Sequence, residues 1–199
     1  MIRKKRGTLF VISAPSGTGK TTLIKRLLSS LDNVTFSISC TTRPKREGEK
    51  EGVDYYFVDE ETFRSMIDRD EFLEYAVVYG NYYGTPKRPV LESLEKGIDV
   101  ILDIDSKGAR AVKEKLRDAV LIFIFPPSME VLIERLRSRG TDSENVINRR
   151  IRDAKLEIEA SIIYDYWILN DDLEKAYNEL KSIVIAERCR KERWELWRM

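Results

Sequence analysis

The chain has 199 residues, 42% of them hydrophobic, with Lys+Arg 35 against Asp+Glu 34 and no histidine. That length suits one domain with a real core, and the balanced charge excludes a whole-surface basic field for nucleic acid or anionic membrane. The missing histidine removes the commonest general base, the zinc ligand and the catalytic triads together, while Cys40 and Cys189, with no C-x-x-C pair, point to a reducing compartment such as the cytoplasm.

In chain order, Arg3-Lys4-Lys5-Arg6 reads as a solvated tail, because the apolar run after it is too short for a leader and ends in a loop. No run of about 18 apolar residues follows anywhere, so no membrane span is predicted. A strand is predicted from Leu9 to Ala14, then the loop Ala14-Pro15-Ser16-Gly17-Thr18-Gly19-Lys20-Thr21-Thr22, then a helix from Thr22 to Leu31. Strand, glycine loop and helix in that order form a phosphate cradle: Gly17 and Gly19 let backbone N–H groups converge on oxygens, and the helix start adds its positive dipole end. Lys20 is placed to reach the outer phosphates, and the Thr21 hydroxyl sits where such loops offer a Mg²⁺ ligand. Ala14 replaces the first glycine of G-x-x-x-x-G-K-[ST] and is expected in ordinary extended geometry.

Further strands are predicted at Phe36 to Cys40, Val100 to Ile104, Val120 to Phe125 and Tyr166 to Leu169. Helices are predicted at Asp59 to Arg69, Pro86 to Lys96, Ser106 to Leu116, Met129 to Arg139, Glu144 to Ile163 and Leu173 to Cys189. Strands separated by helices argue an α/β class, a parallel sheet flanked by helices of the P-loop NTPase type. The stretch from about Thr42 to Thr85 breaks the rhythm with short aromatic pieces and reads as an inserted, mixed and partly antiparallel lobe. Within it Arg43, Lys45 and Arg46 crowd a turn that needs an anion, and Glu47, Glu49 and Glu51 are local candidates beside an external phosphate. Arg135 and Arg139 stand one turn apart on one helix face, a like-charge pair that disfavours an isolated helix by about 0.2–0.5 kcal/mol. With Arg137, Arg149, Arg150 and Arg152 they flank a short polar stretch the size of a lid, and arginine forks suit phosphate oxygens. A surface ion network, with Glu134 and Asp142 as partners, is the plain alternative.

Taken together, the P-loop, Ser39-Cys40-Thr41-Thr42-Arg43-Pro44-Lys45-Arg46, Asp54-Tyr55-Tyr56-Phe57, Phe72-Leu73-Glu74, Gly80 to Thr85, Asp103-Ile104-Asp105, Arg135-x-x-x-Arg139-Gly140-Thr141, Tyr164-Asp165-Tyr166 and Asn170-Asp171 closely resemble the guanylate kinase family. The resemblance covers about Gly7 to Glu187. It implies transfer of the ATP γ-phosphoryl group to GMP, and to dGMP, with Mg²⁺, in purine nucleotide metabolism. It implies ATP contacts at residues 14–22, Arg135, Arg139 and Asn170, and catalytic roles for Lys20, Arg43, Arg135, Arg139 and Arg150. The GMP phosphate would fall to Arg43, Arg46, Tyr55 and Tyr83, and the guanine to Ser39, Glu74, Thr85 and Asp103, with Asp105 near the base or the Mg²⁺ shell. One domain is implied over 1–199: a core of about 1–38 and 91–199, a GMP-binding insert of about 39–90 and a lid of about 135–152. The chemistry agrees, because guanine offers N1–H and N2–H₂ to a carboxylate such as Glu74, and phosphoryl transfer needs charge and positioning rather than histidine. Asp105-Ser106-Lys107-Gly108 also matches the D-x-x-G of a GTPase, but the chain has no N-K-x-D for guanine. Another nucleoside monophosphate kinase and a non-catalytic phosphopeptide-binding scaffold are the remaining alternatives, and the retained Lys20, Thr21 and lid arginines favour an enzyme.

Overall fold

The computed structural model describes residues 2–4, 6–78, 80–138 and 143–196. A central parallel sheet is built from β2 (Leu9–Ser13), β3 (Val34–Phe36), β8 (Asp99–Asp103), β9 (Val120–Phe125) and β10 (Tyr166–Leu169), in the order β10-β9-β2-β8-β3. Buried on both faces, β2 and β9 are near-continuous apolar runs. Alternation still decides which face each side chain joins. Phe10 and Ile12 pack with Leu23 and Leu27 of α1 (Lys20–Ser30) and with Ala176, Leu180 and Val184 of α7 (Leu173–Cys189). Leu9 and Val11 pack with Val90 and Leu94 of α3 (Lys87–Glu95) and with Ala109 and Val112 of α4 (Ser106–Lys115). The register sets Ile12 beside Asp103, so both strands end together under the glycine loop.

The inserted lobe is a four-stranded sheet, β5-β4-β7-β6, from β4 (Cys40–Thr41), β5 (Tyr56–Phe57), β6 (Phe72–Val78) and β7 (Asn81–Pro86). It is mixed: β4 runs parallel to β5, while β7 is antiparallel to β4 and β6. Phe63 of α2 (Glu60–Asp68), Phe72 and Cys40 form its small core. The last strand of this sheet ends at Pro86, and Val90 and Leu94 of α3 pack in the main core. Leu132 and Leu136 of α5 (Met129–Ser138) pack with Ile147 and Ala154 of α6 (Glu144–Glu159).

Three expectations are corrected. The single strand expected from Phe36 to Cys40 is two short ones, β3 in the main sheet and β4 in the insert, because the chain changes sheets between them. The helix expected to Ile163 ends at Glu159 and tightens into a 3-10 turn over Ala160–Ile163. The amino-terminal stretch is not a solvated tail: β1 (Ile2–Lys4) pairs antiparallel with β11 (Trp194–Leu196) in a separate ribbon. In addition, β10 is an edge strand with Trp167 58% exposed, so of its apolar residues Ile168 alone is fully buried.

Candidate active site

The glycine loop turns between β2 and α1. Gly17 and Gly19 take φ 95° and 97°, left-handed geometry that glycine reaches without strain. Gly19 is also the α1 N-cap, with no side chain capping the first turn; the Thr22 amide donates to the Gly19 carbonyl at 3.1 Å, and the Lys20 and Thr21 amides are left for an anion. Ala14 has no positive φ and lies just beyond the strand end, as its side chain requires. Pro15 and Thr18 are buried, the Thr18 amide donating to the Pro15 carbonyl at 3.1 Å, whereas Ser16, Thr21 and Thr22 are exposed. Leu132 and Leu136 of α5 close against Gly17, where an added Cβ would lie 3.3 Å from each.

Asn170, 5% exposed, enters from the end of β10 and donates from Nδ2 to the Thr18 carbonyl at 2.6 Å. A Cβ on Gly19 would lie 2.7 Å from that nitrogen. The side chain thus braces the loop from below, while the resemblance had implied an adenine-side contact. Lys20 forms an ion pair with Asp103, both partly buried. Asp103, expected among the guanine readers, therefore stands at the mouth of the phosphate loop. The register of β2 and β8 puts it there, and this neighbour of Lys20 is not visible from 83 residues of sequence separation.

Asp105 caps α4, accepting from the Gly108 amide at 2.8 Å. This accounts for the D-x-x-G string: the aspartate starts a helix, and the glycine makes room for Glu74, whose Oε2 would lie 3.0 Å from a Cβ at 108. Glu74 is 8% exposed and lies directly across the strand pair from Thr85, whose hydroxyl donates to Oε1 at 2.5 Å. A register shift between Phe72 and Glu74, the mark of a bulge, re-aims the side chain out of the regular alternation. Burial raises the pKa of this carboxyl, and the nearby Asp105 charge adds to it.

In the insert, Arg43 packs over the rings of Tyr55 and Phe57 at 5.4 and 5.8 Å, and Tyr55 stands edge-on to Tyr83 at 6.0 Å. The hydrogen bonds to Glu49, with the nearby Tyr83 hydroxyl as a lesser influence, raise the Arg43 pKa, and burial raises the Tyr55 pKa. Ser39 is half-buried, its carbonyl accepting from the Tyr56 amide. The Arg46 side chain is exposed. Cys40 is core rather than site, its thiol pushed up to about 11 by burial.

A cavity of about 510 Å³ lies between the loop and α6, lined by Ser16, Asp105, Ser106, Arg150, Asp153 and Glu157 among others. Arg135 is half-buried in the last turn of α5, and Arg150 is on the cavity wall. Arg139, with Gly140, Thr141 and Asp142, lies outside the described residues. Arg137 of α5 pairs with Glu144 of α6 at 3.6 Å, both exposed, so that arginine belongs to a surface pair. Glu157 was not anticipated. One of its oxygens is buried without a hydrogen-bond partner, and burial pushes its pKa up to about 7 against the pull of Lys20. Its spacing from Arg150, seven residues along one helix face, was a signal in the sequence.

The sequence pattern of the family described as guanylate kinase matches residues 6–187. A guanylate kinase of Carboxydothermus hydrogenoformans is 53% identical over 188 residues, covering 94% of this chain and 92% of that one. One from Myxococcus xanthus is 54% identical over 188 residues, covering 94% and 90%. The crystal structure of guanylate kinase from Anaplasma phagocytophilum superposes with a TM-score of 0.79 at 37% identity, covering 98% of this chain and 92% of that one.

Proposed function

The chain belongs to the guanylate kinase family, and on that premise we propose how its residues divide the work of moving a phosphoryl group from ATP to GMP. The reaction yields ADP and GDP. ATP is taken by residues 14–22, with Lys20 leaving Asp103 for the outer phosphates, while Asn170 holds the loop in shape. The lid arginines Arg135, Arg139 and Arg150 close over the transferring group. Arg43, Tyr55 and Tyr83 seat the acceptor phosphate with Arg46 at the rim, and Glu74, Thr85 and Ser39 face the guanine. A buried carboxylate with one donor of its own is a costly group that guanine's N1–H and N2–H₂ would satisfy and adenine's N1 lone pair would not. GMP, and with it dGMP, is the proposed acceptor.

The oxygen donors at the cleft suit Mg²⁺: the exposed Thr21 hydroxyl, with Asp103 and Asp105 behind it. Among the described residues no cluster of three or more acidic, histidine or cysteine side chains could hold a metal alone, which fits an ion carried largely by substrate phosphates. Bound there, Mg²⁺ neutralises phosphate charge. No general base is required, because the acceptor's second pKa is about 6 and its attacking oxygen is mostly deprotonated at neutral pH. The protein's part is to align two anions in line, exclude water and spread positive charge around the transition state. The chain works as one domain in the cytoplasm, without nucleic-acid or membrane partners. Among the described residues no helix is long and apolar enough to cross a membrane.

The observation that carries this reading is the glycine loop opening α1 with Lys20 held at its mouth against Asp103, a phosphate cradle with its cation already in place. Lys20→Ala is expected to abolish GDP formation in a coupled ADP-release assay with the melting temperature preserved. Normal turnover in that variant would remove the phosphate loop from the mechanism.

A further inference from the structure

We propose that Glu49 is the positioning residue of the acceptor-phosphate seat, holding the outer edge of the Arg43 guanidinium so that its inner edge is presented to the phosphate. Arg43 donates from Nη2 to Glu49 Oε1 at 2.6 Å and from Nη1 to Oε2 at 3.0 Å, and Nη1 also donates to the Pro44 carbonyl at 2.8 Å. Of five guanidinium N–H groups, these contacts consume both on Nη1 and one on Nη2. What remains is Nε–H and the second hydrogen of Nη2, which lie together on the guanidinium's side edge. Two parallel donors there match two phosphate oxygens.

The same carboxylate shapes the loop. Oε2 also accepts from the Arg46 amide at 2.7 Å, inside a turn closed by the Glu49 amide on the Arg46 carbonyl, with Gly48 at φ 85°. The two side chains are 10% and 19% exposed, unlike the open surface pair Arg64–Glu60 at 62% and 59%. The Arg43 hydrogen bonds hold the Glu49 carboxyl below the usual carboxylate range, so it stays charged at working pH. The Tyr55 and Phe57 rings, 5.4 and 5.8 Å from the guanidinium carbon, restrain it further. A sheltered fork of this kind is pre-set, so binding loses less side-chain entropy.

The inference rests on Arg43 seating the acceptor phosphate, and the test separates the two ideas. Steady-state kinetics with varied GMP and varied ATP are run on Glu49→Gln, Arg43→Ala and the double variant. Glu49→Gln keeps the shape but offers one acceptor oxygen and no charge, and the GMP KM should rise about tenfold, the scale of one charge-assisted hydrogen bond, with the ATP KM within about twofold. In the Arg43→Ala background the same change should shift the GMP KM by less than about twofold, because Glu49 acts through Arg43. An unchanged GMP KM in Glu49→Gln, or the full tenfold step without Arg43, overturns the proposal while leaving the seat intact. An unchanged GMP KM in Arg43→Ala overturns the seat and the proposal with it.

Discussion

Replacing Glu157 by Gln should stabilise the protein in alkaline solution and not in acid. Glu157 sits on the inner face of α6 with an unpartnered buried oxygen, facing Asp103, Asp105 and Asp153 as well as Lys20. Its pKa stands at about 7 in the folded chain against an ordinary 4.5. An acid whose folded value lies above its unfolded value binds its proton more tightly when folded. The penalty is therefore absent below about 4.5, grows between 4.5 and 7, and is complete above 7. At ~1.36 kcal/mol for each pH unit, the ceiling is about 3 kcal/mol. Gln keeps the volume and removes the charge but remains a desolvated amide, so the expected gain at pH 8 is about 1–3 kcal/mol, roughly 3–10 °C in melting temperature for a chain of this size. Urea unfolding at pH 5 and pH 8 measures it, with a constant m-value certifying that only stability changed. At pH 5 the carboxyl's own cost is only about 0.8 kcal/mol, so the variant's gain there should be smaller than at pH 8 by about 2.5 kcal/mol. A gain of equal size at both pH values, or a loss at pH 8, would refute the account of a carboxylate charged at a cost.

Glu74→Gln should raise the GMP KM far more than the ATP KM, because the amide can present a donor where guanine also donates, and equal effects on both would move base recognition elsewhere. Asn170→Ala removes the donor to the Thr18 carbonyl, so the ATP KM should rise several-fold with GMP binding measured alone unaffected. If Asn170 instead touches adenine directly, ITP and ATP, which differ at the base amine, should respond differently to the variant. Gly84→Ala should destabilise by about 1–3 kcal/mol, since a Cβ there would lie 2.8 Å from Phe72 and 2.9 Å from Phe63. Thermal melting checks it, and a neutral result would mean that the insert's aromatic core yields more readily than its stacked rings suggest.

The local signals were strong wherever one element carries its own instruction. The glycine loop between an apolar strand and a helix, the alternation of buried strands and amphipathic helices, and the crowding of cations near Arg43 were all legible without coordinates, because turn chemistry and hydrophobic period act over a few residues. The anion demanded by that crowding was narrowed to Glu47, Glu49 and Glu51, and folding of the loop selected Glu49. Pairing across long separations was not legible. Asp103 meets Lys20 through strand register, Asp99 receives the Thr8 amide and Arg188 through the packing of α7 on the sheet, and Asn170 reaches Thr18 from 152 residues away. The split between β3 and β4 and the ribbon of β1 with β11 have the same origin, since a strand of two or three residues has too little pattern to announce its partner. Sequence by itself determined which residue types were available for phosphate and guanine and on which elements they ride. Only the tertiary structure decided which carboxylates face which cations, because charge pairing depends on distance in space, and that is set by the sheet rather than by order along the chain.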